Sequence, residues 1–134
     1  MSIKSIDHAA IPINNVEEML SFYRRLGFNI SDRHAPLLYS IDFGDNKINF
    51  HTPQLWGSGE FSLRAPAAVP GCGDFCFVWG GKEEDLISML KETGAKVIEG
   101  PVERDGGRAR GRAAGISRYI RDPDLNLLEF IIYP

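Results

Sequence analysis

A chain of 134 residues fits one domain by length and, at this size, hides roughly two-thirds of its unfolded surface without disulfides or metals as staples. Its 15 Lys and Arg against 18 Asp and Glu, a net charge of −3, exclude the basic footprint that a nucleic-acid binder needs. No signal-like apolar segment and no run of eighteen apolar residues occurs, so a membrane-spanning helix is excluded and a soluble, cytoplasmic protein with no membrane partner is expected.

Residues 4–12 read as a β-branched, apolar strand ending at Pro12. Asn15, with Glu18 three places on, reads as a helix cap in a capping-box arrangement. Met19, Leu20, Tyr23 and Leu26 then form one apolar stripe of an amphipathic helix, and Gly27 is the expected left-handed stop. Strands are expected over 28–33, 37–43 and 46–52, with Gly44-Asp45-Asn46 turning between the last two. The Pro- and Gly-bearing segment 53–70 reads as a linker. A strand at 73–79 follows, then a helix from about Lys82 to Thr93 with Leu86, Ile87 and Leu90 facing inward, then strands at 95–102, 116–121 and 126–133. Cys72 and Cys76 do not suit a disulfide, because four residues of strand separate Cα atoms by about 13 Å. Cys76 is expected to be a small buried hydrophobe.

The order strand-helix-strand-strand-strand thus occurs twice. His8 and Asp74 open the two copies 66 positions apart, and Gly27 and Gly94 are 67 apart. Residues 39–50 lie over 119–130 without gaps. The second copy therefore carries 13 surplus residues, in the Gly/Arg segment between Pro101 and Ile116. Four arginines on that Gly-rich stretch suggest either a solvated loop or a lid over an anionic substrate. Its Gly-Gly-Arg-Ala-Arg-Gly-Arg run is similar to an RNA-binding segment, which the net charge opposes.

The pieces Ile6-Asp7-His8, Phe22-Tyr23-Arg24-Arg25-Leu26-Gly27-Phe28 and Arg121-Asp122-Pro123-Asp124-Leu125-Asn126-Leu127-Leu128-Glu129 resemble the vicinal oxygen chelate superfamily, which includes glyoxalases, fosfomycin- and bleomycin-resistance proteins and extradiol dioxygenases. Lys47-Ile48-Asn49-Phe50-His51, Asp74-Phe75-Cys76-Phe77 and Glu99-Gly100-Pro101-Val102-Glu103-Arg104 look like a glyoxalase-domain subgroup labelled virulence proteins. The resemblance covers essentially the whole chain. It implies an α+β fold of two tandem βαβββ modules forming a curved antiparallel β cup. One domain would span 1–134, with module one at about 1–53, a linker at about 54–71 and module two at about 72–134. It also implies a homodimer.

By position in that family, a divalent metal ion would be held by His8, Asp74 and Glu129, with Asn49 in the fourth slot. Three protein ligands leave adjacent positions for a substrate with two neighbouring oxygens. The implied activity is that of a metal-dependent lyase, isomerase or epoxide-opening transferase. Asp74 departs from the commoner histidine. One imidazole with two carboxylates favours hard ions, Mn²⁺, Fe²⁺ or Mg²⁺, over Zn²⁺, and Asp74 could instead be a general base or a turn cap. The same departure leaves open a metal-free protein that sequesters a drug or metabolite, of the bleomycin-resistance type. His8 on a strand face could be structural. Glu129, in the apolar run Leu127-Leu128-Glu129-Phe130-Ile131, must be paired, metal-bound or protonated unless its strand is an edge facing water. His51 shares a face with Asn49 and suits a base, a ligand or a strand-end polar residue. Ser117, Tyr119 and Arg121 share a face, as donors and an anion partner if it lines the cup. Tyr119 is then catalytic with His51 and Glu129, and Asn49, Ser117 and Arg121 bind substrate. Leu125 stands where glycine is common, and Asn126 is expected to take the left-handed conformation there.

Overall fold

The computed structural model describes residues 1–134, which divide into two compact units, Met1–Cys72 and Gly73–Pro134. No helix is long and apolar enough to cross a membrane. In the first unit β1 (His8–Pro12), α1 (Val16–Arg25), β2 (Asn29–His34), β3 (Leu38–Phe43) and β4 (Asn46–His51) follow in order, and a single helical turn, α2 (Pro53–Trp56), follows the last strand. The second unit repeats the plan with β5 (Asp74–Val78), α3 (Glu83–Glu92), β6 (Glu99–Asp105), β7 (Ala114–Arg121) and β8 (Leu127–Ile132). Arg108–Gly111, α4 in chain order, is a tight coil in which Ala109 and Arg110 have left-handed φ of 52° and 59°.

Each unit is one four-stranded sheet, ordered β1-β4-β3-β2 in the first and β5-β8-β7-β6 in the second. The hairpin ladders are antiparallel, but β1 runs parallel to β4 and β5 parallel to β8. The sheets are thus mixed, antiparallel through three strands of each with one parallel edge. The helix between the first strand and the rest returns the chain on the same heading, and only a parallel partner is then available.

The two helices start and stop by the same physics. Glu17 and Glu18 open α1 and Arg24 and Arg25 close it, complementing the dipole. Its cap is made by the Asn15 carbonyl, which accepts from Met19 N–H at 2.8 Å, and not by the side chain. Met19, Leu20, Tyr23 and Leu26 are all buried, as the stripe requires. At the C-terminal ends Phe28 N–H bonds Tyr23 O and Ala95 N–H bonds Leu90 O, across Gly27 (φ +96°) and Gly94 (φ +74°). Tyr23 packs on Phe50 (5.1 Å between ring centroids) and on Phe28 (5.6 Å), which seats α1 on one face of the first sheet. In α3, Leu86 and Leu90 are buried but Ile87 is 45 % exposed and faces outward, against expectation. Strand β1 begins at His8 rather than near residue 4, because the ladder with β4 begins at His8↔Lys47.

The repeat is exact at the sheet edges and slips by one in the hairpins. His8 pairs with Lys47 and Asp74 with Leu127, so Asn49 and Glu129 occupy the same register position. Phe43 pairs with Asn46 around Gly44 and Asp45, whereas Arg121 pairs with Leu127 around the longer Asp122–Asn126 turn. Opposite Asn49 stands Ser40, and opposite Glu129 stands Tyr119. The gapless match of 39–50 over 119–130 is therefore off by one on the outgoing strand. One residue of slip exchanges faces, so Tyr39 shares a face with Phe50 while Tyr119 shares one with Glu129. Of the 13 surplus residues, several lengthen β6 and β7, leaving 106–113 to connect them. Gly106 N–H bonds Ala113 O, and the Arg108 guanidinium lies 4.2 Å from the centroid of the Tyr133 ring. The expected loop is thus largely a hairpin with its tip held down.

Candidate functional site

In the second sheet the face away from α3 carries Asp74, Cys76, Glu129, Ser117 and Tyr119, placed together by the Cys76↔Glu129 and Tyr119↔Glu129 pairings. Glu129 is its centre. Fully buried Ser117 donates its hydroxyl to Glu129 Oε2 at 2.6 Å, the short distance of a charge-assisted bond. Tyr119 and Cys76 flank the Glu129 carboxylate, paired with it across the β7 and β5 ladders. Arg104 Nε donates to the Tyr119 hydroxyl at 3.1 Å, and its guanidinium lies over that ring. The Tyr119 pKa is raised, first by desolvation and further by Glu129, with Arg104 opposing. Cys76 is exposed rather than buried, correcting the expectation. Partial desolvation on the sheet, then the charge and hydrogen bond of Glu129 and the charge of Asp74, push its thiol up to about 12. Cys72 and Cys76 are both free thiols.

A buried turn sets the position of these strands. Asn126, with no exposed surface, accepts Gly73 N–H at 2.7 Å and donates Nδ2 to Asp122 Oδ2 at 2.8 Å. Asp122 Oδ1 accepts the N–H groups of Asp124 and Asn126. The Asp-Pro-Asp-x-Asn motif is thus a clamp that ties the residue before Asp74 to the start of β8. The left-handed residue is Leu125 (φ +75°), not Asn126. Arg121 is exposed and donates Nη1 to the Leu125 carbonyl at 3.1 Å, so its guanidinium braces this turn. The first unit keeps a weaker version of the clamp, with Asn46 Nδ2 donating to the Ile6 carbonyl.

In the first sheet the face away from α1 carries His8, Asn49, His51 and Ser40. Ser40 donates to Asn49 Oδ1 at 3.0 Å. Exposed His8 bonds Asp7 Oδ1 through Nδ1 at 2.7 Å, which leaves Nε2 without a hydrogen-bond partner. His51 is buried and meets Phe61 edge-on at 5.1 Å. Its pKa is lowered, by burial first and by the Arg64 charge second, so the ring is neutral at pH 7. It lines a cavity of about 310 Å³ with Pro12, Leu63, Arg64 and Ala68. Arg64 donates Nη2 to the Ala68 carbonyl at 2.6 Å, and its buried Nε has no partner. Arg64 escaped the sequence reading because one arginine in a Pro-rich linker carries no periodic signal. Asp7, directly before His8, was readable.

The metal set expected from sequence draws His8 from the first unit and Asp74 and Glu129 from the second. Within neither unit do three His, Cys, Asp or Glu side chains gather as a cluster. The donors themselves suit a hard divalent ion. His8 is oriented by Asp7 and Glu129 by Ser117, the outer hydrogen bonds that metal-binding imidazoles and carboxylates usually have.

Residues 5–130 match the model of the Glyoxalase/Bleomycin resistance protein/Dioxygenase superfamily. The chain belongs to that superfamily. It is 36% identical over 135 residues to the glyoxalase domain-containing protein RDO1 of Mycosarcoma maydis, covering 99% of this chain and 70% of that one. It is 36% identical to the virulence protein STM3117 of Salmonella typhimurium over 138 residues, covering 99% and 87%. The crystal structure of STM3117 has a TM-score of 0.84 to this chain, at 35% identity and full coverage of both. A lactoylglutathione lyase from Agrobacterium tumefaciens, with a TM-score of 0.71 at 19% identity over 98% and 96% of the two chains, shares the fold. Superfamily membership accounts for the duplicated βαβββ units and the α+β class.

Proposed function

We propose that this superfamily member is a divalent-metal-dependent enzyme, a lyase, isomerase or epoxide-opening transferase, acting on a small substrate with neighbouring oxygens. The observation that carries the reading is Glu129. A carboxylate at the centre of a sheet face, held at 2.6 Å by a buried serine and flanked by Tyr119 and Cys76 on the neighbouring strands, has no guanidinium or ammonium bonded to it. His8, Asp74 and Glu129 would hold the ion, which supplies Lewis-acid polarisation of the substrate oxygens when bound. Ser117 orients Glu129. Tyr119, kept protonated by its raised pKa, offers a hydroxyl to a substrate oxygen. His51, neutral and cavity-lining, suits a general base, while Asn49 offers an amide to the substrate. A homodimer in the cytoplasm is the expected setting.

One observation favours a second reading. The cavity beside His51 and Arg64 could hold a small molecule with no ion, as an antibiotic-sequestering protein would. Metal titration with Mn²⁺ separates the two, read by calorimetry and by iodoacetamide labelling of Cys76. An ion on Asp74 and Glu129 neutralises the charges that suppress the thiolate, so labelling should accelerate on saturation. Glu129→Gln should take up no metal and show no acceleration while keeping its circular dichroism. Saturable Mn²⁺ binding that is the same in Glu129→Gln, or no binding at all, would overturn the enzyme reading.

A further inference from the structure

We propose a second ligand site, on the opposite face of the second sheet from Glu129, that binds a small aliphatic monocarboxylate. Arg118 neighbours Ser117 and Tyr119 on β7 and therefore points to the other side. It is 6 % exposed, and its one hydrogen bond is from Nη2 to Glu83 Oε1 at 3.2 Å. Nη1 is buried and has no partner. A guanidinium keeps its proton throughout the accessible pH range, and buried donors are almost always satisfied. Glu83 is itself half exposed and engages only one nitrogen, so the guanidinium retains donor capacity and positive charge.

Arg118 lines a cavity of about 390 Å³ between α3 and the start of β6. That volume lies in the range of small-molecule sites. The walls are Ile87, Leu90 and Val97, with Lys91 as a second cation. Ile87 and Val97 are large apolar side chains left 45 % and 38 % exposed, so an aliphatic chain there covers surface that the protein leaves to water. The cation and the apolar wall together select an acid head and a hydrocarbon body. Glu83 beside the guanidinium disfavours a dianion. The site is independent of the proposed metal chemistry.

Calorimetry and NMR titration of the whole chain with hexanoate, hexanol and inorganic phosphate test it. Hexanoate should bind saturably with one site per chain, and hexanol and phosphate at least about tenfold more weakly. Arg118→Met, which keeps the length of the side chain, should weaken hexanoate at least about tenfold. Should that variant fail to fold, Val97→Trp fills the cavity while keeping the arginine at position 118 and should weaken binding to the same extent. Glu129→Gln should leave hexanoate affinity unchanged. Absence of saturable hexanoate binding, equal affinity for hexanol or phosphate, or wild-type affinity in a folded Arg118→Met or Val97→Trp protein would overturn the proposal.

Discussion

Replacing Asn126 by Ala should destabilise the fold by about 3–5 kcal/mol, and the number follows from its partners. The side chain is wholly buried. Its carbonyl oxygen takes the Gly73 N–H at 2.7 Å, and without it that buried donor has no protein acceptor. An orphaned buried N–H costs about 1–3 kcal/mol. Its amide donates to Asp122 Oδ2 at 2.8 Å, a bond to a charged acceptor worth about 1.5–3 kcal/mol. For a chain of this size each kcal/mol moves Tm by roughly 3–4 °C, so a fall of about 9–20 °C is expected. Urea unfolding followed by circular dichroism measures it, with Asn46→Ala as the internal control. Asn46 holds the same place in the first unit, but its bond to the Ile6 carbonyl is exposed, so its loss should cost under about 1 kcal/mol. Equal effects of the two substitutions, or a loss below about 1.5 kcal/mol at Asn126, would refute the view that burial of the clamp sets its strength.

The neighbouring Leu125→Gly should act in the opposite direction. Leucine at φ +75° carries about 1–2 kcal/mol of strain and is 65 % exposed; against glycine's extra unfolded-state entropy of about 0.5–1 kcal/mol, the net gain is about 0.5–1 kcal/mol, measurable as a higher urea midpoint. Stability should fall as pH drops below about 6.5, because His51 has a lowered folded pKa and the unfolded chain takes up the proton first. In His51→Gln the difference in stability between about pH 7.5 and about pH 5.5 should shrink, and an unchanged difference would exclude His51 as its source. Cys76, though exposed, should react with iodoacetamide at pH 8 roughly 50-fold more slowly than a cysteine of ordinary pKa, since a thousandfold smaller thiolate fraction is only partly offset by higher nucleophilicity. Peptide mass spectrometry reads the rates, and Glu129→Gln should speed the reaction.

Local patterns in the chain carried the elements and the duplication, because each depends on residues close in sequence. The stripe of α1 and the glycine stops at 27 and 94 follow from helix geometry alone. The matched register of Asn49 and Glu129 follows from the strand period and the repeat. Pairing between distant strands is not encoded in any one segment, and there tertiary structure decided. It set the parallel edges, the one-residue slip that turns Tyr119 and Tyr39 to opposite faces, and the left-handed Leu125. It also decided burial. Cys76 faces out beside two carboxylates, Arg121 is taken up by a turn, and Arg64 and Arg118 each bury a nitrogen that lacks a partner. Residue type states which groups can donate, accept or ionise. Which of them meet, and how much water stays with them, depends on chain segments far apart in sequence, and so does the chemistry they can do.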